Sequence, residues 1–310
     1  MSRIGHYELI DRFATGGVAE IYRARDTRSG TVVVIKKLRA DTDFDRDEYA
    51  GFLQELQLAM KCTHKNLIQG FEKGTTDGIE YGVLEYVDGQ DLHAIIHRAR
   101  KSRVVIPVPF ATFIVGEILD GLDFAWKIRD ERGRQLGLVH RDLAPKNVFV
   151  RYDGQVRIGD FGSAVASMLE QPDTVLGTPG FMSPEQASLA RIDQRSDVFA
   201  TGCILYELIT GQPAFDLEGK KDAALLKMHQ KAQRRPIPKA LPDDLRMVLE
   251  IALSASPEDR YQSALDMHRG LKQTETPPDA QAALGIATFV RRLFADEFKA
   301  SRVPGNPLPF

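Results

Sequence analysis

The sequence predicts an α+β protein in which a small β-rich half precedes a larger helical half. Three observations predict it. From Tyr7 to about Val87, β-branched and aromatic runs are separated by Gly, Asp and Ser turns. Beyond Gly89, apolar residues recur three and four apart instead. The 310 residues, 43% hydrophobic and 27% charged, are also enough to bury a sizeable core in one large domain or two modest ones. A junction between two such halves is a common place for a ligand cleft.

Within the first half, Tyr7 to Ile10, Ala19 to Arg25, Thr31 to Leu38 and Tyr81 to Tyr86 read as strands. One amphipathic helix interrupts them over Glu48 to Cys62, where Phe52, Leu56, Ala59 and Met60 share a face. In the second half, Phe113 to Ile128, Ser196 to Thr210 and Leu245 to Leu253 carry helical periodicity. Thr274 to Pro278 reads as a short linker before a helical segment near Asp279 to Ala300. Residues 303–310 hold too many prolines for regular structure.

Charge and cysteine usage exclude several function classes. Forty-one basic against 43 acidic side chains give a net charge of −2, with no basic excess for general nucleic-acid binding. Cys62 and Cys203 stand far apart, which argues for a reducing compartment and against a disulfide framework or a cysteine-rich zinc site. The opening residues lack the apolar run of a signal peptide, and no window reaches the length of a membrane span. A cytoplasmic protein with no membrane partner is expected.

A set of polar groups spread along the chain points to phosphate chemistry. Ala14-Thr15-Gly16-Gly17 falls between two strands, where glycines let backbone N–H groups approach phosphate oxygens; an ordinary hairpin turn has the same look. Lys36 ends an apolar strand and either snorkels to solvent or meets an anion. Glu55 is a solvated helix charge, or Lys36's partner if the helix packs beside that strand. Further on stand His140-Arg141-Asp142-Leu143-Ala144-Pro145-Lys146-Asn147, the strand Val148-Phe149-Val150, and Gly159-Asp160-Phe161-Gly162. Asp142, Asn147 and Asp160 around a short hairpin are hard oxygen donors able to hold magnesium and orient a hydroxyl nucleophile. One such element arises easily by chance; the whole set in this order does not.

In these motifs, from about Tyr7 to Leu271, the chain resembles the protein kinase superfamily, specifically the bacterial eukaryotic-like serine/threonine kinases. The resemblance implies a two-lobed fold: an N-lobe over residues 1–88 with one main helix, a helical C-lobe over 89–271 carrying the catalytic loop and activation segment, and a C-terminal extension over 272–310. It implies ATP as phosphoryl donor with Mg²⁺, or Mn²⁺ in its place, and serine or threonine hydroxyls of proteins as acceptors. Lys36 would hold the α- and β-phosphates and pair with Glu55. Asp142 would accept or orient the acceptor proton, and Asn147 and Asp160 would hold the metal. The Glu85 carbonyl and Val87 N–H would bond the adenine edge, with Leu84 as gatekeeper. Asp91 would lie near the ribose, Ile21 and Val34 above the base and Phe149 below it. Core packing is the other reading of these apolar residues. Gly177 to Glu185 is similar to the end of an activation segment, with Thr178 supporting Asp142, Glu185 pairing with Arg260, and Asp197 bracing the catalytic loop.

Departures from the family pattern gather around the phosphates. Ala14 and Ala19 replace two loop glycines and predict an altered or stiffer loop, because alanine resists positive φ. Val34 replaces a small residue and presses on the adenine roof. Ala144 replaces the lysine that serine/threonine kinases place two residues after the catalytic aspartate, while Lys146 sits where tyrosine kinases carry an arginine. Lys146 either reaches the γ-phosphate or is simply exposed. An active kinase is therefore weighed against a pseudokinase serving as a nucleotide-binding or scaffolding module. Small-molecule kinases are disfavoured by the activation-segment motif, and tyrosine specificity is opposed by Thr178. Arg141, beside Asp142, predicts an anion partner, and a phosphate on Thr174, or on Ser163 or Ser167, would supply it; the alternative is an unmodified surface threonine. The stripe of Ile286, Phe289, Val290, Leu293 and Phe294 either packs on the helical lobe or docks a regulatory partner.

Overall fold

Six strands form one twisted antiparallel sheet in the N-terminal half of the computed structural model, which describes residues 2–40, 46–161, 165–166, 175 and 177–302. In chain order they are β1 (Arg3–Ile4), β2 (Tyr7–Thr15), β3 (Ala19–Asp26), β4 (Val32–Leu38), β5 (Gly70–Thr76) and β6 (Ile79–Glu85), arranged β1-β2-β3-β4-β6-β5. Helix α1 (Arg46–Lys61) crosses one face between β4 and β5. Alternation decides which residues go where: Val33 and Ile35 join Tyr7, Ala24 and Val83 in one small core, while Leu38 and Ala19 pack with Phe52 and Leu56 of α1 in another. The edge strand β5, sequence GFEKGTT, mixes the strand formers Phe71, Thr75 and Thr76 with two glycines and a Glu-Lys pair; hydrogen bonding to β6 and contact with α1 make it a strand.

The second half is helical, apart from β7 (Gly89–Asp91), β8 (Leu138–Val139), β9 (Val148–Arg151), β10 (Val156–Ile158) and β11 (Val165–Ala166). Strands β10, β9 and β7 make a three-stranded sheet, and β11 pairs with β8. Its helices are α2 (Leu92–Lys101), α3 (Val108–Lys127), α4 (Pro184–Ala187), α5 (Gln194–Thr210), α6 (Asp222–Gln230), α7 (Asp243–Ala252) and α8 (Ala264–Lys272). Helix α3 is apolar nearly all round because it runs through the middle of this lobe, against α5 and α8. Asp193 caps the start of α5 by accepting from Arg195 N–H, and Gly211, at φ 68°, closes its end.

The C-terminal extension folds onto this lobe as α9 (Ala282–Leu293) and α10 (Ala295–Ala300), two helices in place of one expected segment. Thr274 is buried and Pro278 lies against Gly116, so residues 274–278 are packed chain and not a free linker. Ile286, Val290 and Phe294 are buried in the main core, so of the two readings of the stripe the structure takes packing on the protein's own lobe, and the docking alternative is corrected. Arg98 lies over the Phe294 ring at 4.2 Å and bonds Glu297 at 2.5 Å. Removing a ring that is 2% exposed leaves a cavity the surrounding helices cannot fully close. Phe294→Ala is therefore expected to cost about 3–5 kcal/mol, read as a lowered thermal midpoint. Leu284→Ala on the preceding helix α9, at a residue 76% exposed, is expected to leave the midpoint unchanged.

Candidate active site

The upper wall of the cleft between the halves is built by strand register. Ile21 stands directly opposite Lys36, and Val34 opposite Leu84, so pleating puts Ile21, Val34 and Lys36 on one face. All of them line the cleft, together with Leu84, Glu85, Tyr86 and Val87 of the connecting segment, and with Asp91, Phe149, Asn147 and Asp160 from below. Ala14 and Thr15 end strand β2, Gly16 and Gly17 lie in the β2–β3 turn, and none of the four is among the lining residues; Phe13, just before them, is. Ala14 and Ala19 both sit in paired strand, and neither has positive φ. The alanines therefore fit the hairpin, which is bulged between Arg12 and Ala14, without needing the positive φ that alanine resists. Phe13 escaped the sequence reading because an exposed aromatic beside a glycine turn carries no periodic signal.

Glu55 reaches this wall because Leu56, its neighbour on α1, is buried against the sheet. Both Glu55 carboxylate oxygens lie 2.5 Å from Lys36 Nζ. Burial, with the Asp160 carboxylate nearby, pushes the Glu55 pKa up, and the Lys36 charge opposes it. The approach depends on Gly82, which pairs with Lys36 in register: a Cβ there would lie 2.1 Å from Leu56 Cδ2. Gly82 reads in sequence as a weak spot in a strand, and only the packing of α1 gives it a purpose.

The connecting segment is pinned from below. The Glu85 carboxylate accepts from Arg157 Nε at 3.1 and 3.2 Å and from Arg151 Nη1 at 3.5 Å, so the side chain of this cleft-lining residue is held in place. Asp91 caps α2 by accepting from Ala94 N–H at 2.8 Å, which fixes its carboxylate at the cleft rim.

The lower wall is a loop held at several points. Asp197 accepts from the backbone N–H groups of His140 at 2.8 Å and Arg141 at 3.2 Å, the bracing expected of it. Asp142 Oδ1 accepts from the Thr178 hydroxyl at 2.5 Å, and its Oδ2 lies 3.1 Å from Lys146 Nζ. Ala144 is buried, so the lysine two residues later, across the short 3₁₀ turn Pro145–Asn147, is the one that meets the carboxylate. Asn147 Nδ2 donates to the Asp142 carbonyl at 2.8 Å, which leaves its oxygen as the atom offered to a cation. Arg141 and Asp160 have positive φ, 66° and 61°, a conformation held only because the flanking hydrogen bonds over-determine it. The Arg141 guanidinium is buried, its Nε has no hydrogen-bond partner among the described residues, and burial lowers its pKa against the opposing charge of Asp197. Thr174, Ser163 and Ser167 lie outside the described residues.

Beyond the loop, Glu185 accepts from Arg260 at 2.7 and 2.9 Å and from the Ser196 hydroxyl at 2.6 Å. Burial works to raise its pKa, but these donors prevail and hold it below the usual carboxylate range. His229 of α6, which the sequence did not single out, accepts from Gly180 N–H through Nε2 at 3.0 Å. Its Nδ1 therefore carries the proton and donates to the Met182 carbonyl at 2.8 Å. Burial lowers its pKa, keeping the ring neutral in this role.

A curled sheet above a helical lobe, with a lysine–glutamate pair facing an Asp–Asn–Asp set across the cleft, defines the protein kinase class of folds. Residues 7–270 match the protein kinase domain family, and the chain belongs to it. Among similar proteins are a probable serine/threonine-protein kinase, SCO3848, of Streptomyces coelicolor, 35% identical over 91% of this chain and 42% of its own length. The tyrosine-protein kinase MasK of Myxococcus xanthus is 33% identical over 97% of this chain and 48% of its own. The serine/threonine-protein kinase PknB of Mycobacterium leprae is 34% identical over 90% and 44%. The chain thus spans a little under half the length of these relatives.

The contact between Lys146 and Asp142 gives a direct test. Lys146→Ala is expected to lower kcat for phosphoryl transfer roughly ten- to a hundredfold, the scale of losing one charged group near the reacting atoms. Lys146→Arg should retain most of the rate, and steady-state kinetics with varied ATP would separate kcat from KM.

Proposed function

We propose that this chain is an ATP- and Mg²⁺-dependent protein kinase that phosphorylates serine or threonine hydroxyls. The observation that carries the reading is the Asp142 carboxylate held between the Thr178 hydroxyl and the Lys146 ammonium. A carboxylate fixed in this way accepts a hydrogen bond from an incoming hydroxyl and takes its proton as the phosphoryl group arrives. Lys36, oriented by Glu55, is placed to hold the α- and β-phosphates; Ile21, Val34 and Phe149 sandwich the base, and the backbone at Glu85 and Val87 reads its edge. The donors fit magnesium: the Asn147 oxygen and the Asp160 carboxylate are hard oxygen ligands lining one cleft. Bound there, the metal neutralises charge on the transferred phosphate. The chain's own part is positioning and electrostatic stabilisation, with no covalent step on the protein.

An intact set of Lys36, Glu55, Asp142, Asn147 and Asp160 favours this reading over a scaffold that binds nucleotide without transfer. Among the described residues no helix is long and apolar enough to cross a membrane, and both cysteines are free and buried. These features support a place for this kinase unit in the cytoplasm, acting on protein substrates. Radiolabelled ATP with magnesium and a generic protein acceptor is expected to yield acid-stable phosphoserine or phosphothreonine, falling at least a hundredfold in Asp142→Asn. Phosphotyrosine would reassign the acceptor. Nucleotide binding without any transfer would mark a pseudokinase.

The buried, incompletely partnered Arg141 supports activation by a phosphate on the segment before Thr178, with Thr174 as its site. Protein incubated with ATP is expected to carry a phosphate on Thr174 by mass spectrometry, absent in Asp160→Asn. Thr174→Ala should lower activity several-fold in wild type, and no further in Arg141→Ala. Full activity with Thr174 unmodified removes the idea.

A further inference from the structure

Basic residues are concentrated in one place, beside the loop that supports Asp142. Residues 219–239 hold seven Lys and Arg against the single acid Asp222, in a chain whose net charge is −2. Two of the seven are neutralised: Lys220 and Arg235 share Asp216, at 2.5 and 2.8 Å. Lys221, Lys227, Lys231, Arg234 and Lys239 have no carboxylate partner among the described residues. Lys227 and Lys231, four apart on and just past α6, share its solvent side and are exposed. Met228 and His229 occupy the buried side.

The patch is rigidly tied to the catalytic centre. His229 bonds both Gly180 N–H and the Met182 carbonyl, and Gln230 Nε2 donates to the Ala187 carbonyl at 2.9 Å. Thr178, two residues before Gly180, bonds Asp142. A chain whose hydroxyl reaches Asp142 therefore lies near a helix whose outward face is positive. Unpaired surface cations attract an acidic segment at longer range than any hydrogen bond, and within about 8 Å of screening length at physiological salt.

We infer that the outer face of α6 and the following segment to Lys239 form a docking surface for an acidic stretch of the protein substrate, separate from the acceptor residue itself. The inference rests on the kinase reading above for the identity of the occupant; the position beside Thr178 favours a substrate protein over nucleic acid or an anionic membrane. Such a surface lets a chain with no overall basic excess hold an acidic segment: the charge is local, and the rest of the surface balances it.

Two fluorescein-labelled peptides test it, each with the same serine acceptor region joined by a flexible spacer to six glutamates or to six glutamines. Measured by anisotropy on the full chain at low salt, the glutamate peptide is expected to bind roughly tenfold more tightly. Lys227→Glu with Lys231→Glu should abolish that difference, and raising salt should shrink it. Equal affinities for the two peptides, or a preference that survives the reversed charges, overturn the proposal. So does loss in the double variant of binding to phosphatidylglycerol vesicles or duplex DNA while the peptide preference stays. Phosphate transfer, measured in parallel, judges the kinase reading by itself: the double variant should keep its kcat on the glutamine peptide and lose only the KM advantage of the glutamate one. Absence of transfer to either peptide counts against the kinase reading, while anisotropy still decides the docking surface.

Discussion

The structure turns on a buried ion pair between a strand and a helix that otherwise meet through one small apolar cluster, Ala19 and Leu38 against Phe52 and Leu56. Lys36 and Glu55 are largely withdrawn from solvent, so each charge depends on the other, and removing one strands its partner in a low-dielectric place at a cost of about 3–5 kcal/mol. The pair thus fixes where α1 lies on the sheet. It forms only because Leu56 can press against a strand that offers glycine at position 82. Asp160 adds a further negative charge beside the pair, which makes the site hungry for cations.

The lower wall achieves the same rigidity by other means. Its loop borrows hydrogen-bond partners from helix α5 through Asp197 and from the segment around Thr178, so that Arg141 is held at positive φ. The Glu185–Arg260 pair, saturated by serine and backbone partners, locks the end of that segment to the base of the lobe. His229 locks its middle. Catalytic geometry here is a property of anchors lying well outside the cleft.

The missing lysine at position 144 is answered by geometry. The 3₁₀ turn at Pro145–Asn147 swings Lys146 onto Asp142, so charge lost at one sequence position returns at another. The C-terminal helices add a brace from the opposite side. Arg302 bonds Asp88 in the connecting segment, and Arg291 bonds the Tyr152 carbonyl, so the chain's last described residues steady the cleft's rim.

By itself the sequence determined that a β-rich half precedes a helical one, the central helix of each half, and most of the polar groups that meet in the cleft, because each is marked by local pattern: alternation, helical spacing, or a run such as His140 to Asn147; helices such as α2, α6 and α8 were not read. The exact ends of strands and helices, the edge strand β5 and the split of the last segment at Phe294 were not legible, since hydrogen bonding to neighbours and burial decide them. Whether Lys36 met Glu55 or water, whether Lys146 faced the carboxylate or solvent, and whether the C-terminal stripe was kept or offered were choices that local pattern left open. Tertiary packing made each choice, because the energy of a charge or an apolar face depends on what lies across from it, and that is set by residues distant in the chain.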